Sequence, residues 1–125
     1  MDESTAEKNR ELVTDGFAAF ASGDVEVLRT RLSPDFIEHS PDNPSGRDAF
    51  IAYIAGTPVA NARLALKRVI ADDTYVTVHY QMTEPGDERG AAVVDIWRVD
   101  EGLITEHWDV VQPVPEESRV PNGMF

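Results

Sequence analysis

The residues best equipped for chemistry fall in one stretch, Val93–Gln112, which reads VVDIWRVDEGLITEHWDVVQ. Two apolar runs rich in β-branched and aromatic residues flank the polar break Asp100-Glu101-Gly102, the pattern of a β-hairpin. Asp95, His107 and Asp109 stand inside those runs, where an ionisable group is costly to bury without a partner. Side chains alternate along a strand, so His107 and Asp109 share a face. Whether Asp95 joins them depends on the turn. A three-residue loop with Gly102 left-handed makes a G1-bulge hairpin. It opposes Val99 to Leu103, Asp95 to His107 and Val93 to Asp109, and puts all three polar groups on one face. A two-residue Glu101-Gly102 loop sends Asp95 to the other face. Glu-Gly is a weaker two-residue turn than Asn-Gly or Asp-Gly, so the longer loop is expected.

A carboxyl in a dry cavity can take a proton from an activated carbon and later return one to oxygen, because burial raises a carboxyl pKa toward the working range. A second carboxylate nearby raises it further or shares one proton. Asp109 with Asp95 fits that chemistry; the alternative is a strand-end aspartate accepting backbone hydrogen bonds. His107 could orient Asp109 or donate to an enolate oxygen, or it could be a satisfied strand residue. His79 alternates with Tyr75, Thr77 and Gln81, a polar strand face that lines a cavity or meets solvent or a partner. In the expected register Trp97 shares the face of Asp95 and could wall an aromatic substrate, while Arg98 and Trp108 point away. Only His107 and Asp109 could offer adjacent metal ligands from one strand, so neither a metal nor a cofactor is expected.

The elements that must position these groups are readable in outline. Ser4-Thr5-Ala6-Glu7 has the form of a capping box. After it Val13, Phe17 and Phe20 recur at helical spacing with Ala18 and Ala21. Ser22-Gly23-Asp24 ends that helix, and Asp24 opens a second with Val25, Leu28 and Leu32, stopped by Pro34. Asp35–His39 reads as a short strand running into the proline- and glycine-bearing loop 40–46. A third helix begins at Arg47-Asp48 and carries Phe50, Ile51 and Ile54. From Ala62 the period changes to two: strands over 63–70 and 75–82, a polar loop over 84–90, then the hairpin. Helices first and antiparallel strands second predict an α+β fold, with the helices on one face of a curved sheet.

At 125 residues the chain is sized for one domain, 1–112, with a tail over 113–125 whose apolar Met124-Phe125 end could close a hydrophobic mouth. The absence of cysteine excludes a disulfide framework and a thiolate nucleophile. A net charge of −12 and a pI near 4.4 argue against nucleic acid and anionic membrane surfaces. Met1 leads into polar residues without an apolar leader, and no apolar run could span a bilayer, so a cytoplasmic protein is expected.

Asp35-Phe36-Ile37-Glu38-His39-Ser40-Pro41, Asp95-Ile96-Trp97-Arg98-Val99 and Gly102-Leu103-Ile104-Thr105-Glu106-His107-Trp108-Asp109 resemble the SnoaL-like polyketide cyclases of the NTF2-like superfamily. The tail motif Asn122-Gly123-Met124-Phe125 is similar to one in uncharacterised SnoaL-like proteins. The resemblance covers nearly the whole chain up to Gln112. It implies an NTF2-like cone, three N-terminal helices packed on a curved, mostly antiparallel sheet enclosing a pocket. It also implies a cofactor-independent enzyme, a homodimer, and Asp109 as general acid–base in a His-x-Asp setting. Asp95 takes the place of a histidine in the characterised cyclases. His107, Asp95 and the pocket candidate His39 would hydrogen-bond developing oxyanions, and Trp97, His79, Val93 and Phe36 would contact the substrate. The expected reaction is enolisation and intramolecular aldol closure of a small apolar or polycarbonyl ligand. The rivals are a ketosteroid-isomerase-like isomerase or a dehydratase on the same fold, and a non-catalytic small-molecule-binding protein. Epoxide hydrolases of this fold look to need an Asp-Arg-Asp relay in the pocket, which the outward Arg98 argues against.

Overall fold

Ser4 caps the first helix as its residue type predicts. In the computed structural model, which describes residues 3–125, its hydroxyl accepts from the Glu7 amide at 3.1 Å and helix α1 runs Thr5–Ala21. Met1 and Asp2, where the leader-free start is read, lie outside the described residues. Among the described residues no helix is long and apolar enough to cross a membrane.

The second helix is much shorter than its apolar spacing predicts. A 3-10 turn, Val25–Val27, passes into helix α2, Leu28–Arg31, and the chain enters strand β1, Leu32–Glu38, with no loop between. Asp24 makes no side-chain cap bond. Leu32, read as helical, instead opens the strand, pairs in parallel with Ile104 and is almost fully buried. Pro34 therefore sits inside a strand. It is tolerated because β1 is the edge of the sheet and its ladder is interrupted between Leu32 and Ile37, so the missing N–H has no ladder bond to break.

Helix α3, Arg47–Ala55, buries Phe50, Ile51 and Ile54 as their spacing predicts. Strands β2 (Arg63–Ala71), β3 (Tyr75–Thr83), β4 (Ala91–Asp100) and β5 (Leu103–Pro113) form an antiparallel meander. With β1 added in parallel to β5, the sheet order is β1-β5-β4-β3-β2. The helices cover its inner face, where Val13, Phe20 and Ile51 pack with Val76, Val78, Val93 and Ile104 in one apolar core. Asn9, buried in α1, ties that helix to the β2–β3 turn by donating to the carbonyls of Asp72 and Asp73.

The β4–β5 hairpin corrects the expected register in an instructive way. Asp100 pairs with Leu103 and Val99 with Ile104, so the loop is the two-residue Glu101-Gly102, with φ of 49° and 79° as a type I′ turn requires. Taken alone, that turn would put Asp95 on the wrong face. One residue later the register shifts: Val99 faces Ile104 but Arg98 faces Glu106, leaving Thr105 as an extra residue in β5. The bulge restores the parity. Asp95 pairs with Asp109, Trp97 with His107 and Val93 with Val111, in place of the expected Asp95–His107 and Val93–Asp109 pairs. Glu101 is the one described non-glycine residue held at positive φ. Glu101→Asn, which suits that conformation better, is expected to stabilise the fold by about 0.5–1 kcal/mol in urea unfolding.

The tail leaves β5 with the Val114 amide donating to the Gly90 carbonyl, and passes through a 3-10 turn at Glu117–Arg119. Phe125 then stacks on His79, 5.5 Å between ring centroids, with the Lys67 ammonium over its ring. This is the outer face of the sheet, so Phe125 does not plug the cavity mouth.

Candidate active site

Alternation along β4 sends Val93, Asp95 and Trp97 inward, and the bulge at Thr105 lets β5 send Ile104, His107 and Asp109 to the same side. Tyr80 and Met82 of β3 complete that wall, and Phe17 and Phe20 of α1 and Phe50 and Ile54 of α3 face it. Between them lies a cavity of about 370 Å³. Its lining is predominantly apolar and aromatic, with Asp95, His107, Asp109 and Tyr80 converging on it, as expected of a small-molecule site.

His107 is the hub. Its ring nitrogens each meet a buried carboxylate: Nδ1 is 2.7 Å from Glu38 Oε1 and Nε2 is 3.0 Å from Asp95 Oδ1. The side chains of Glu38 and Asp95 are 0% and 4% exposed. An acceptor on each nitrogen favours a proton on each. Burial by itself would push the His107 pKa down, but the hydrogen bonds it donates to Asp95 and Glu38 outweigh it and hold the pKa up at about 9. Trp97 stacks on the imidazolium, 3.8 Å between centroids, adding a cation–π contact. The Trp97 indole N–H is buried without a hydrogen-bond partner.

Burial pushes the Asp95 carboxyl up, and hydrogen bonding and charge from His107 pull it back. Geometry decides the protonation state: with His107 clamped between two carboxylates, Asp95 is the anionic partner near neutral pH. Burial, then the charge of Asp95, pushes the Tyr80 hydroxyl well above its ordinary range, so Tyr80 stays a neutral donor. Asp109 is half-buried, lines the cavity, and makes no hydrogen bond with another described residue. The ligand atoms of Asp95, His107 and Asp109 lie within 4.8 Å of one another, so this trio is where a cation could be held. A cation there would have to displace the proton on His107 Nε2 that Asp95 accepts.

Of the residues singled out in the sequence, Asp95, His107, Asp109, Trp97 and Val93 all line the cavity. Three others do not. His39 points to the outer face, where Nε2 donates to Glu106 at 2.6 Å and the ring stacks on Trp108 at 4.8 Å. His79 is also on the outer face, against Arg68 and Phe125. Phe36 is buried against Phe50 in the core, behind the cavity wall. Arg98 is on the outer face, paired with Glu106.

The residue that sequence reading missed is Glu38. Phe36 points inward, so Glu38, two positions on, must share its face, and that signal was present in Asp35–His39. What was absent was any sign that this edge strand lies beside His107, which the parallel pair Glu38–His107 establishes. Glu38 also accepts from the Ser40 amide at 2.9 Å, which ties the hub to the loop whose Ser40, Asp42 and Asn43 line the cavity.

A family model described as the SnoaL-like domain matches residues 13–107. No curated protein matches the chain. Among solved structures, an NTF2-like protein of unknown function from Burkholderia xenovorans LB400 superposes with a TM-score of 0.78 at 21% identity, over 95% of this chain and 97% of that one. A candidate ketosteroid isomerase from Kribbella flavida superposes at 0.77 and 19% identity, over 94% and 90%. A candidate SnoaL-like polyketide cyclase from Jannaschia sp. CCS1 superposes at 0.74 and 19% identity, over 90% and 91%. At these identities the superpositions establish an NTF2-like fold.

Proposed function

The chain belongs to the SnoaL-like domain family, and from that premise we propose that it is a cofactor-independent enzyme that enolises a ring-bearing carbonyl compound, with Asp109 as the base. The observation that carries this reading is a partner-free carboxylate at the wall of an apolar cavity, beside a buried hub that already holds a proton. Asp109 takes the proton from a carbon activated by adjacent carbonyls. Tyr80 stands on the same wall to hydrogen-bond the developing oxyanion, while both N–H groups of His107 are already taken by Glu38 and Asp95. Attack of the resulting enolate carbon on a second carbonyl of the same molecule closes a ring, and the proton held on Asp109 goes to the new alkoxide. Returning the proton to another carbon of the enolate would instead give an isomerase. The candidate cyclase and ketosteroid isomerase of similar fold support this pair of outcomes, and product structure separates them.

The test is deuterium uptake from heavy water into 1,3-dicarbonyl and polycyclic keto-ester compounds, followed by NMR. Wild type should catalyse it. Ligand-induced thermal stabilisation with no exchange would instead favour a binding protein.

The outer face supports a second copy of the chain as partner. Ile70, Thr77, Ile96 and Trp108 are register partners across four strands, forming a row on that face. Ile37, Tyr75 and Val110 extend it, with Val110 71% exposed. A contiguous apolar patch on a two-fold-compatible sheet is what an isologous interface needs. Wild type should elute as a dimer in light-scattering chromatography, and Ile96→Lys/Val110→Lys as a folded monomer.

A further inference from the structure

Glu38 is a buried charge with no part in the reaction proposed above. It is not among the residues that line the cavity, yet its side chain is 0% exposed. Its carboxylate collects three donors: Oε1 accepts from His107 Nδ1 at 2.7 Å and from the Ser40 amide at 2.9 Å, and Oε2 accepts from Asn43 Nδ2 at 3.5 Å. The two bonds from the loop fix the carboxylate while it fixes the imidazole. A charge at this depth is costly without a counter-charge, and among the described residues His107 is the cation that pairs with it.

We infer that Glu38 is a positioning residue: from behind the cavity wall it keeps His107 an imidazolium, fixed in orientation, whose charge stabilises the enolate forming in front of it. In the enolisation proposed above, on which this role rests, His107 acts by charge across the cavity, because both of its N–H groups are taken. That charge counts because the lining is apolar and screens it weakly. The other polar groups around His107 are anionic or neutral: Asp95 and Trp97 of β4, Asp109 of β5, Tyr80 of β3, and Asp42 of the mouth loop. Helices α1 and α3 bring only apolar side chains such as Phe17, Phe20, Phe50 and Ile54, and among the described residues no lysine or arginine lines the cavity. A neutral imidazole would therefore leave the growing negative charge among carboxylates with no cation on the wall. Asp95 and Glu38 together hold the proton on His107 up to about pH 9, and Asp95 alone would hold it less firmly.

The test is the pH profile of deuterium uptake into 2-tetralone, a fused-ring ketone with activated C–H bonds, catalysed by the full chain and corrected for the uncatalysed rate. In wild type the rate should fall on the alkaline side near pH 9, where nitrogen NMR shows His107 losing its proton. Glu38→Gln keeps the shape, and its Oε1 can still accept from Nδ1 and from the Ser40 amide, but the charge is gone. Its alkaline edge is expected at least about one pH unit lower, with the His107 titration moving alongside. Glu38→Asp restores the charge and should return the edge toward its wild-type position, even at a lower rate. A merely structural Glu38 would lower the rate at every pH and leave the edge of Glu38→Gln where it was, and that result overturns the inference. So does a wild-type edge that fails to coincide with the His107 titration, a comparison that needs no variant to fold. Absence of catalysed exchange by wild type at every pH would sink the enolisation itself. The His107 titrations of wild type and Glu38→Gln would then still decide whether Glu38 holds the imidazolium.

Discussion

Asp109→Asn is expected to lower catalysed deuterium exchange by about 10²–10⁴-fold, the usual contribution of a positioned general base, while leaving the fold intact. The substitution keeps the shape of the side chain and removes its ability to accept a proton. Its structural cost is small because the Asp109 side chain is half-buried and bonds to no other described residue. A change in stability within about 0.5 kcal/mol is the expectation for such a site. The two measurements belong together. An exchange rate unchanged in a folded Asp109→Asn protein would remove Asp109 from the mechanism, whereas a rate lost together with the fold would make it a structural residue.

His107→Leu should act on stability. It leaves the Glu38 and Asp95 carboxylates, 0% and 4% exposed, without the cation between them. Removing one partner from a buried ionic cluster costs about 3–5 kcal/mol, roughly 10–20 °C in Tm for a domain of this size. The triple variant Glu38→Gln/Asp95→Leu/His107→Leu removes the stranded charges and should recover most of the loss, even where the single variant barely folds. A single variant losing less than about 1 kcal/mol, or a triple variant no better than it, would show that the clamp does not hold this end of the sheet.

The same clamp sets a pH dependence in wild type. The folded pKa of His107, about 9, lies above the ordinary 6.5, so the folded state binds more protons between the two values. Stability from this group is complete below about pH 6.5 and declines as pH rises through 9, by roughly 3 kcal/mol in all. Urea midpoints measured from pH 6 to 10 should fall in wild type and stay flatter in the triple variant.

Much of the outline was determined locally. The Ser4 cap, the apolar spacing of Val13, Phe17 and Phe20, and the burial of Phe50, Ile51 and Ile54 are each decided within a few residues by helical geometry. Strand alternation likewise settles that His107 and Asp109 share a face, and that Asp95 and Trp97 do. The α+β order and the family resemblance were legible for the same reason, since both rest on short runs of neighbours.

Three features were decided only when distant segments met. Leu32 continues the helical spacing of Val25 and Leu28, yet it pairs with Ile104 far along the chain, and that contact ends the helix early. The bulge at Thr105 arises from the match of β5 against Arg98 and Val99, and it brings Asp95 round to Asp109. Glu38 reaches His107, and His39 turns outward to Glu106 and Trp108, because β1 docks in parallel on β5. Sequence alone thus determined which groups could do chemistry and which near neighbours share a face. Tertiary structure decided which of them meet, because pairing between strands is set by burial across the whole sheet and cannot be read from either strand alone.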